Sequence, residues 1–561
     1  MVVNAKIISS LEKVFRDKEV SDYAKLEQMS ALLGERIAVQ LIYKNERFDD
    51  GKGGEGICRT LLTPTLGGEL AKYATVRRVV GVPVIKPTGD YGNDGNYLDD
   101  KPGVYPDMLL PLNYGGRVRA DIRVLGNLWI DIELPEDAHA LPDLSTLTVS
   151  LTDGYSGSQV FEDKVSVNVI KEKLPEQKLY YTRWFHTDCL ASYYGVPVWS
   201  KSHWEIIENF ARMAVKTGVN TLLTPIITPS LDGPRMITQL VKITKNGDKY
   251  SFNFSRLDKW IDMCDRIGIK YFEISHLFTQ GGAVHTPRIV ATVDGEEKMI
   301  FSYENDSRDP EYKILLRALL GAFIRHMKKR GDDKRCIFHI SDEPSIDNIE
   351  YYRYAKSVVT DILKGYKMID ALSHIEYYNE GLVECPVPLT RDAAPFIEAN
   401  IPGLWTYYCC IPTDKNYSNS FIAMPSWRTR SMGMQMYKYN IEGFLHWGYN
   451  FYNNCGSDSP INPYIDLSGE NWVPAGDTFI VYPDKNGEPI ESLRAEVFYH
   501  TLCDLRAMKL CEKYYSHEEV TSAIEKELGD EITFRRCAYS ADEMLRVRER
   551  INEMIKSAIS K

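Results

Sequence analysis

No stretch of the chain runs to about 18 apolar residues, so no membrane-spanning helix is predicted. The opening MVVNAKIISSLEKVF lacks the charged start and roughly 7–15-residue apolar core of an export signal, so the cytoplasm is the expected compartment. Basic charge is in short supply. Lys and Arg total 67 against 78 Asp and Glu, a net charge of −11, which argues against a nucleic-acid or anionic-membrane partner. The eleven cysteines are odd in number and follow no framework spacing, so they are expected to be reduced and mostly buried. Cys409 and Cys410 are adjacent, but no paired C-x-x-C spacing supports zinc. Neither G-x-x-x-x-G-K-[ST] nor H-E-x-x-H occurs. GKGGEG (51–56) fits G-x-G-x-x-G but follows NERFDD instead of a strand, and GYSGS (154–158) lacks the strand-to-helix setting of a nucleophile elbow. No metal or cofactor is predicted.

What is present is an ordinary globular balance, 44% hydrophobic and 26% charged, over 561 residues. That length exceeds what one core usually serves, so two domains are predicted. Up to residue 173 short alternating strands dominate, among them NLWIDIELP (127–135), LSTLTVSLTDG (144–154) and KVSVNVIKE (164–172). Their period of two predicts an antiparallel β-sandwich. From 174 to 561 the rhythm changes. SHWE (202–205) and SRLD (255–258) have the form of capping boxes, with Ser202 and Ser255 as N-caps. Helices ending at Gly218, Gly268, Gly331 and about Gly365 each lead into a short apolar strand. Strands are predicted at 179–185, 219–225, 269–275, 336–340, 368–375, 386–390, 404–410 and 441–447. Eight such units predict a (β/α)8 barrel, with a doubly wound sheet as the alternative. A helix pair at 491–513 and 541–558 is expected to pack on it.

In IFHISDEPS (337–345) the fourth of these strands runs into Asp342, Glu343 and Pro344. A helix start, with Asp342 as N-cap, is the bland alternative. On a barrel, however, the C-terminal ends of the strands carry the active site. Neighbouring carboxylates raise one another's pKa, so one can serve as general acid while the other stays ionised. Consecutive residues suit a double displacement poorly, because its two carboxylates flank the sugar at about 5–5.5 Å. They suit a substrate whose own 2-acetamido oxygen is the nucleophile, one carboxylate stabilising the acetamido group and the other protonating the leaving oxygen. Pro344 is expected to end the strand so that both side chains face one sugar.

SDEPS, GFLHWGYNFYN (443–453), YPDMLLPL (105–112) and GDTFIVYPDKNGEPIESLRAEVFYHTLCDLRAMKLCE (476–512) together resemble glycoside hydrolase family 123. The resemblance covers nearly the whole chain, and the last run is its most specific part. It implies a β-N-acetylgalactosaminidase with an N-terminal sandwich and a catalytic barrel. It further implies that Glu343 is the general acid/base and that Asp342 stabilises the acetamido group and an oxazolinium intermediate.

The carbohydrate partner needs further contacts. Trp447, Tyr449 and Asn450 follow strand eight, and Trp447 fits either a sugar floor or the core. Strand seven offers Trp405, Tyr407 and Tyr408, and strand five offers His374, Glu376, Tyr377, Tyr378 and Asn379. Strand one supplies Arg183, Trp184, His186 and Asp188, where a buried Arg–Asp pair is the competing reading. Asn220 and His276 lie on strands two and three, and His339 either points into the barrel or shoulders the acid pair. Two other functions stay open: a glycosidase with a direct nucleophile such as Glu376, and a non-catalytic glycan-binding protein.

Overall fold

The computed structural model of the chain describes residues 3–46, 60–90, 94–112, 115–231, 233 and 235–560. The GKGGEG stretch lies outside them. Its first part carries strands β1 (Val3–Ser9), β2 (Gln28–Leu33), β3 (Arg36–Asn45), β4 (Thr60–Gly67), β5 (Ala74–Val84), β6 (Gly103–Pro111), β7 (Val118–Ala120), β8 (Gly126–Glu133), β9 (Leu144–Asp153) and β10 (Gln159–Lys173). They form two five-stranded sheets, ordered β1-β3-β8-β5-β6 and β2-β10-β9-β4-β7. Alternation places Leu147, Val149 and Leu151 of β9 inward. They share one core with Val165 and Val167 of β10 and with Val39, Leu41, Ile130 and Ile132 of the other sheet. One pairing departs from the antiparallel expectation: β2 runs parallel to β10, from Gln28 beside Ser166 to Leu32 beside Ile170. A period of two marks which face is buried and carries no strand direction, so the pattern could not show this.

The second part carries β11 (Tyr180–Arg183), β12 (Thr221–Thr224), the hairpin β13 (Lys242–Asn246) and β14 (Lys249–Asn253), and β15 (Tyr271–Ile274). It continues with the hairpin β16 (Ile289–Val293) and β17 (Glu296–Phe301), then β18 (Cys336–Phe338), β19 (Lys367–Ala371), β20 (Cys385–Val387), β21 (Trp405–Tyr407) and β22 (Gly443–His446). Eight of these form a parallel sheet in the order β20-β19-β18-β15-β12-β11-β22-β21. It curls until Tyr407 N–H donates to Pro388 O at 3.1 Å, so the barrel is nearly closed and the doubly wound alternative is excluded. The two hairpins leave the barrel after β12 and β15 and join, through parallel β13–β16 pairing, into a four-stranded sheet. The sequence reading did not anticipate that sheet.

Gly268 (φ +95°) and Gly331 (φ +82°) end the helices Ser255–Ile267 and Pro310–Arg330 in the left-handed region, which favours glycine. The predicted N-caps need correction. The helix Lys201–Lys216 starts two residues earlier than expected: Ser200 is the N-cap and accepts from His203 N–H, while Ser202 and Glu205 lie inside. Ser255 is already the first helical residue, and its N–H is satisfied by Asn253 Oδ1 at 2.9 Å. The C-terminal pair is really three helices, Leu493–Cys511, His517–Leu528 and Ala541–Ile559. No helix among the described residues is long and apolar enough to cross a membrane.

The helix Leu493–Cys511 is buried along most of its length and ties the two parts together. Arg494 forks onto Asp107 of β6 with Nε and Nη2 bonds of 3.0 and 2.9 Å. Glu496 pairs with Arg36 at 3.1 Å and Arg77 at 3.2 Å, and Asp504 with Arg430 and Arg548. Arg548 also reaches Glu35 at 2.7 Å.

Candidate active site

The ladder of the barrel continues past the assigned end of β18. Leu277 N–H donates to His339 O at 3.2 Å, Phe278 N–H to Ile340 O at 2.9 Å, and Ile340 N–H to the Asp370 carboxylate at 3.0 Å. Asp342 and Glu343 therefore sit at the C-terminal rim. Glu343 N–H donates to Ala371 O at 2.9 Å, yet its φ is +42°. A left-handed glutamate is uncommon and costs of order 1–3 kcal/mol, which the surrounding bonds must offset. The turn is thus made at Glu343 itself, with Pro344 following it.

That turn gives the two carboxylates different surroundings. Asp342 is 3% exposed, and Gln280 Nε2 donates to its Oδ2 at 2.9 Å. Glu343 is exposed, and the Tyr407 hydroxyl donates to its Oε1 at 2.5 Å. Burial, then the Glu343 charge and to a lesser degree that of Asp342, hold the Tyr407 phenol well above its usual pKa, so it stays a donor. One phenol therefore senses both carboxylates.

The segment 279–283, TQGGA, grips the turn from below. Gly281, Gly282 and Ala283 have φ of +83°, +117° and +61°. Gly281 N–H donates to Asp342 O at 2.8 Å, and Gly282 and Ala283 N–H donate to Ser341 Oγ at 3.2 and 3.1 Å. The Ser341 hydroxyl donates onward to Thr279 O at 2.7 Å, and Asn348 Nδ2 to Gly281 O at 2.7 Å. A Cβ at Gly282 would lie 2.5 Å from Asn348 Cβ, so this close approach needs glycine.

Beneath the carboxylates lies a buried polar cluster. His339 Nε2 meets Glu273 Oε1 at 2.7 Å, and its Nδ1 faces Asp370 Oδ1 at 3.3 Å. Burial would lower the His339 pKa, but Asp370 and Glu273 together outweigh it and raise it to about 9. Trp184 Nε1 donates to Glu273 Oε1 at 2.8 Å. His276 is fully buried and tilted against His339, ring centroids 4.2 Å apart. Burial first, then the His339 charge, push its pKa well below the usual value. His276, His339 and Asp370 place three ligating atoms within 4.8 Å of one another.

The other predicted residues divide. Tyr407 and Trp447 lie on this rim. Trp447 Nε1 donates to Asp477 Oδ2 at 2.9 Å and its ring edges Trp472 at 5.5 Å. Both Glu343 and Asp477 act on the Cys409 thiol, which its neighbour Cys410 and burial hold well above its usual pKa. Tyr377 supports the loop from behind, its hydroxyl donating to Ser345 O at 2.7 Å. Tyr378 is half-buried against the core, and Asn379 is exposed. Three residues are not brought to the rim. Arg183 points behind the barrel wall, where its Nε donates to the Tyr181 hydroxyl at 2.6 Å and its guanidinium covers Phe498. Tyr449 donates to Phe210 O at 2.8 Å, against the helix Lys201–Lys216. Trp405 opens β21 and stacks on Tyr180 at 5.3 Å, at the opposite end of the barrel. Strand alternation sends every second side chain outward, and a one-residue error in the start of a short strand inverts the assignment. Gln280, Glu273, Asp370 and Asp477 were missed. Each carried a signal: Glu273 and Asp370 are carboxylates inside predicted apolar strands, Asp477 lies in the run 476–512, and Gln280 precedes the Gly-Gly pair that follows strand three.

Paired carboxylates on the C-terminal rim of an eight-stranded parallel barrel are an arrangement that glycoside-cleaving enzymes use. Residues 184–511 match the family model described as glycoside hydrolase 123, catalytic domain. The chain belongs to glycoside hydrolase family 123 and is a glycoside hydrolase. Among solved structures it resembles a family 123 glycoside hydrolase from Clostridium perfringens, described in work on glycolipid glycan hydrolysis. Identity is 15%, TM-score 0.73 and coverage 100% of both chains, a likeness of fold. A family 2 glycosyl hydrolase from Bacteroides cellulosilyticus matches at 9% identity and TM-score 0.27, over 77% of this chain and 46% of its own. A Ruminococcus gnavus β-glucuronidase matches at 9% identity and TM-score 0.31, over 88% and 72%. Neither of these two bears on the fold. No curated protein sequence matches the chain.

Proposed function

We propose that the chain is a retaining exo-β-N-acetylgalactosaminidase that removes terminal β-GalNAc from glycoconjugates, glycolipids among them, by substrate-assisted catalysis. The observation that carries the proposal is the division between the two carboxylates. Asp342 is buried and held by an amide donor, whereas Glu343 is exposed beside a phenol. Two carboxylates in two environments take two roles.

In this reading the substrate's acetamido oxygen attacks the anomeric carbon and forms a C1–O bond. The glycosidic C1–O bond breaks, and Glu343 gives its proton to the leaving oxygen. Asp342, ionised, balances the positive oxazolinium nitrogen. Glu343, now a carboxylate, takes a proton from water as that water attacks C1 and restores the acetamide. Proximity of the internal nucleophile and general acid–base help each lower the barrier. Tyr407 steadies the Glu343 carboxylate between the two steps, and Trp447 offers an aromatic face for the sugar.

The test is turnover of aryl 2-acetamido-β-galactosides beside their 2-hydroxy counterparts. Cleavage confined to the acetamido substrates, inhibition by a thiazoline mimic of the oxazoline, and a β-configured product are expected. Equal turnover of the 2-hydroxy partner would defeat the acetamido-assisted mechanism.

A further inference from the structure

The TQGGA segment is built around the catalytic turn in a way that packing alone does not require. Three successive residues adopt positive φ, two of them glycine. Their N–H groups all point at Ser341 and Asp342, where they bond to a backbone oxygen and a hydroxyl. The segment is itself tied down by Asn348 and by Ala283 N–H donating to Thr279 O at 3.2 Å. The side chain this arrangement delivers to the site is Gln280, whose amide nitrogen lies 2.9 Å from Asp342 Oδ2. A carboxylate whose backbone and one of whose oxygens are both gripped by the same five residues cannot swing independently of them.

We propose that Gln280 is a positioning residue for the hydrolysis, holding the Asp342 carboxylate ionised and in fixed orientation toward the substrate's acetamido nitrogen. The inference rests on the acetamido-assisted reading of the site. An amide N–H donor stabilises a carboxylate and does nothing comparable for the neutral acid, so it favours the charged form that an oxazolinium needs. A glutamine is suited to this task because it donates without carrying a charge that would neutralise Asp342. The contact also bears on selectivity: a misaligned Asp342 harms a substrate that must build positive charge on its amide nitrogen.

The test compares wild type with Gln280→Met, which keeps the shape and removes the donor, and Gln280→Glu, which adds a second carboxylate. The substrate is an aryl 2-acetamido-β-galactoside, and kcat, KM, thiazoline inhibition, the pH profile and the melting temperature are measured. In Gln280→Met, kcat should fall roughly 10- to 100-fold with KM within about threefold of wild type, and thiazoline affinity should fall in step. In Gln280→Glu the acidic limb of the kcat/KM profile should move to higher pH, because a like charge now faces Asp342. Should Gln280→Met not fold, the limb in Gln280→Glu decides. A Gln280→Met enzyme within about threefold of wild-type kcat, or an acidic limb in Gln280→Glu that does not move, overturns the proposal. Failure of the underlying reading shows separately, in a wild type that turns over no 2-acetamido glycoside.

Discussion

Under the proposed mechanism, replacing Glu343 by Gln removes the proton given to the leaving oxygen while preserving shape. Turnover of an unactivated substrate is expected to fall by roughly 10²–10⁴-fold, with thiazoline binding retained, as measured by steady-state kinetics and inhibitor titration. His339 carries a prediction about pH. Its folded pKa is raised to about 9, above the roughly 6.5 of an unfolded histidine, so both states hold the proton below pH 6.5. Its contribution to stability is therefore full there and is lost as pH rises from about 6.5 through about 9. Chemical denaturation at pH 6 and pH 9 should show wild type losing stability across that window, and His339→Gln losing markedly less. At this scale the position of Asp342 and Glu343 at the end of the fourth strand was legible, because adjacency, the following proline and the end of an apolar run are all written in nine residues. Trp405, Arg183 and Tyr449 were not, since their chemistry suits a sugar site and only direction separates them from it.

The helix Leu493–Cys511 shows why the run 476–512 is distinctive. It carries Arg494, Glu496 and Asp504, each buried and each paired to a different element. Isolating one member of a buried pair is strongly destabilising, by about 3–5 kcal/mol, because the remaining charge cannot reach water. Asp107→Ala strands Arg494 and also removes the acceptor of the Tyr482 hydroxyl, 2.5 Å away. A loss of that size should appear as a lower denaturant midpoint with an unchanged slope. The helix itself was predicted within two residues at each end, but its partners were invisible. Asp107 and Arg494 are 387 positions apart, and no local pattern links them. The β13–β17 sheet escaped for the same reason: two short hairpins in separate loops become one sheet only through the β13–β16 pairing.

For the whole molecule, Arg36, Arg77, Asp107 and Glu35 of the first part all pair with charges carried by the C-terminal helices. Residues 174–561 expressed alone would leave Arg494, Glu496 and part of the Arg548 pairing unmatched. That fragment is expected to aggregate or to melt well below the full chain, and light scattering with thermal denaturation checks it. A fragment as stable and active as the whole would show that the first part is not needed to complete the barrel's fold.

By itself the sequence determined the class of each part, the number of barrel strands and the place of the acidic pair. Hydrophobic period, left-handed glycines and adjacency are local properties, readable from neighbours in the chain. Tertiary structure alone decided which side chains face the rim, how β2 pairs with β10, and that the turn is made at Glu343. It also decided that Gln280 stands beside Asp342. These depend on contacts between residues far apart in sequence, whose geometry is set by packing and by the need to satisfy every buried polar group.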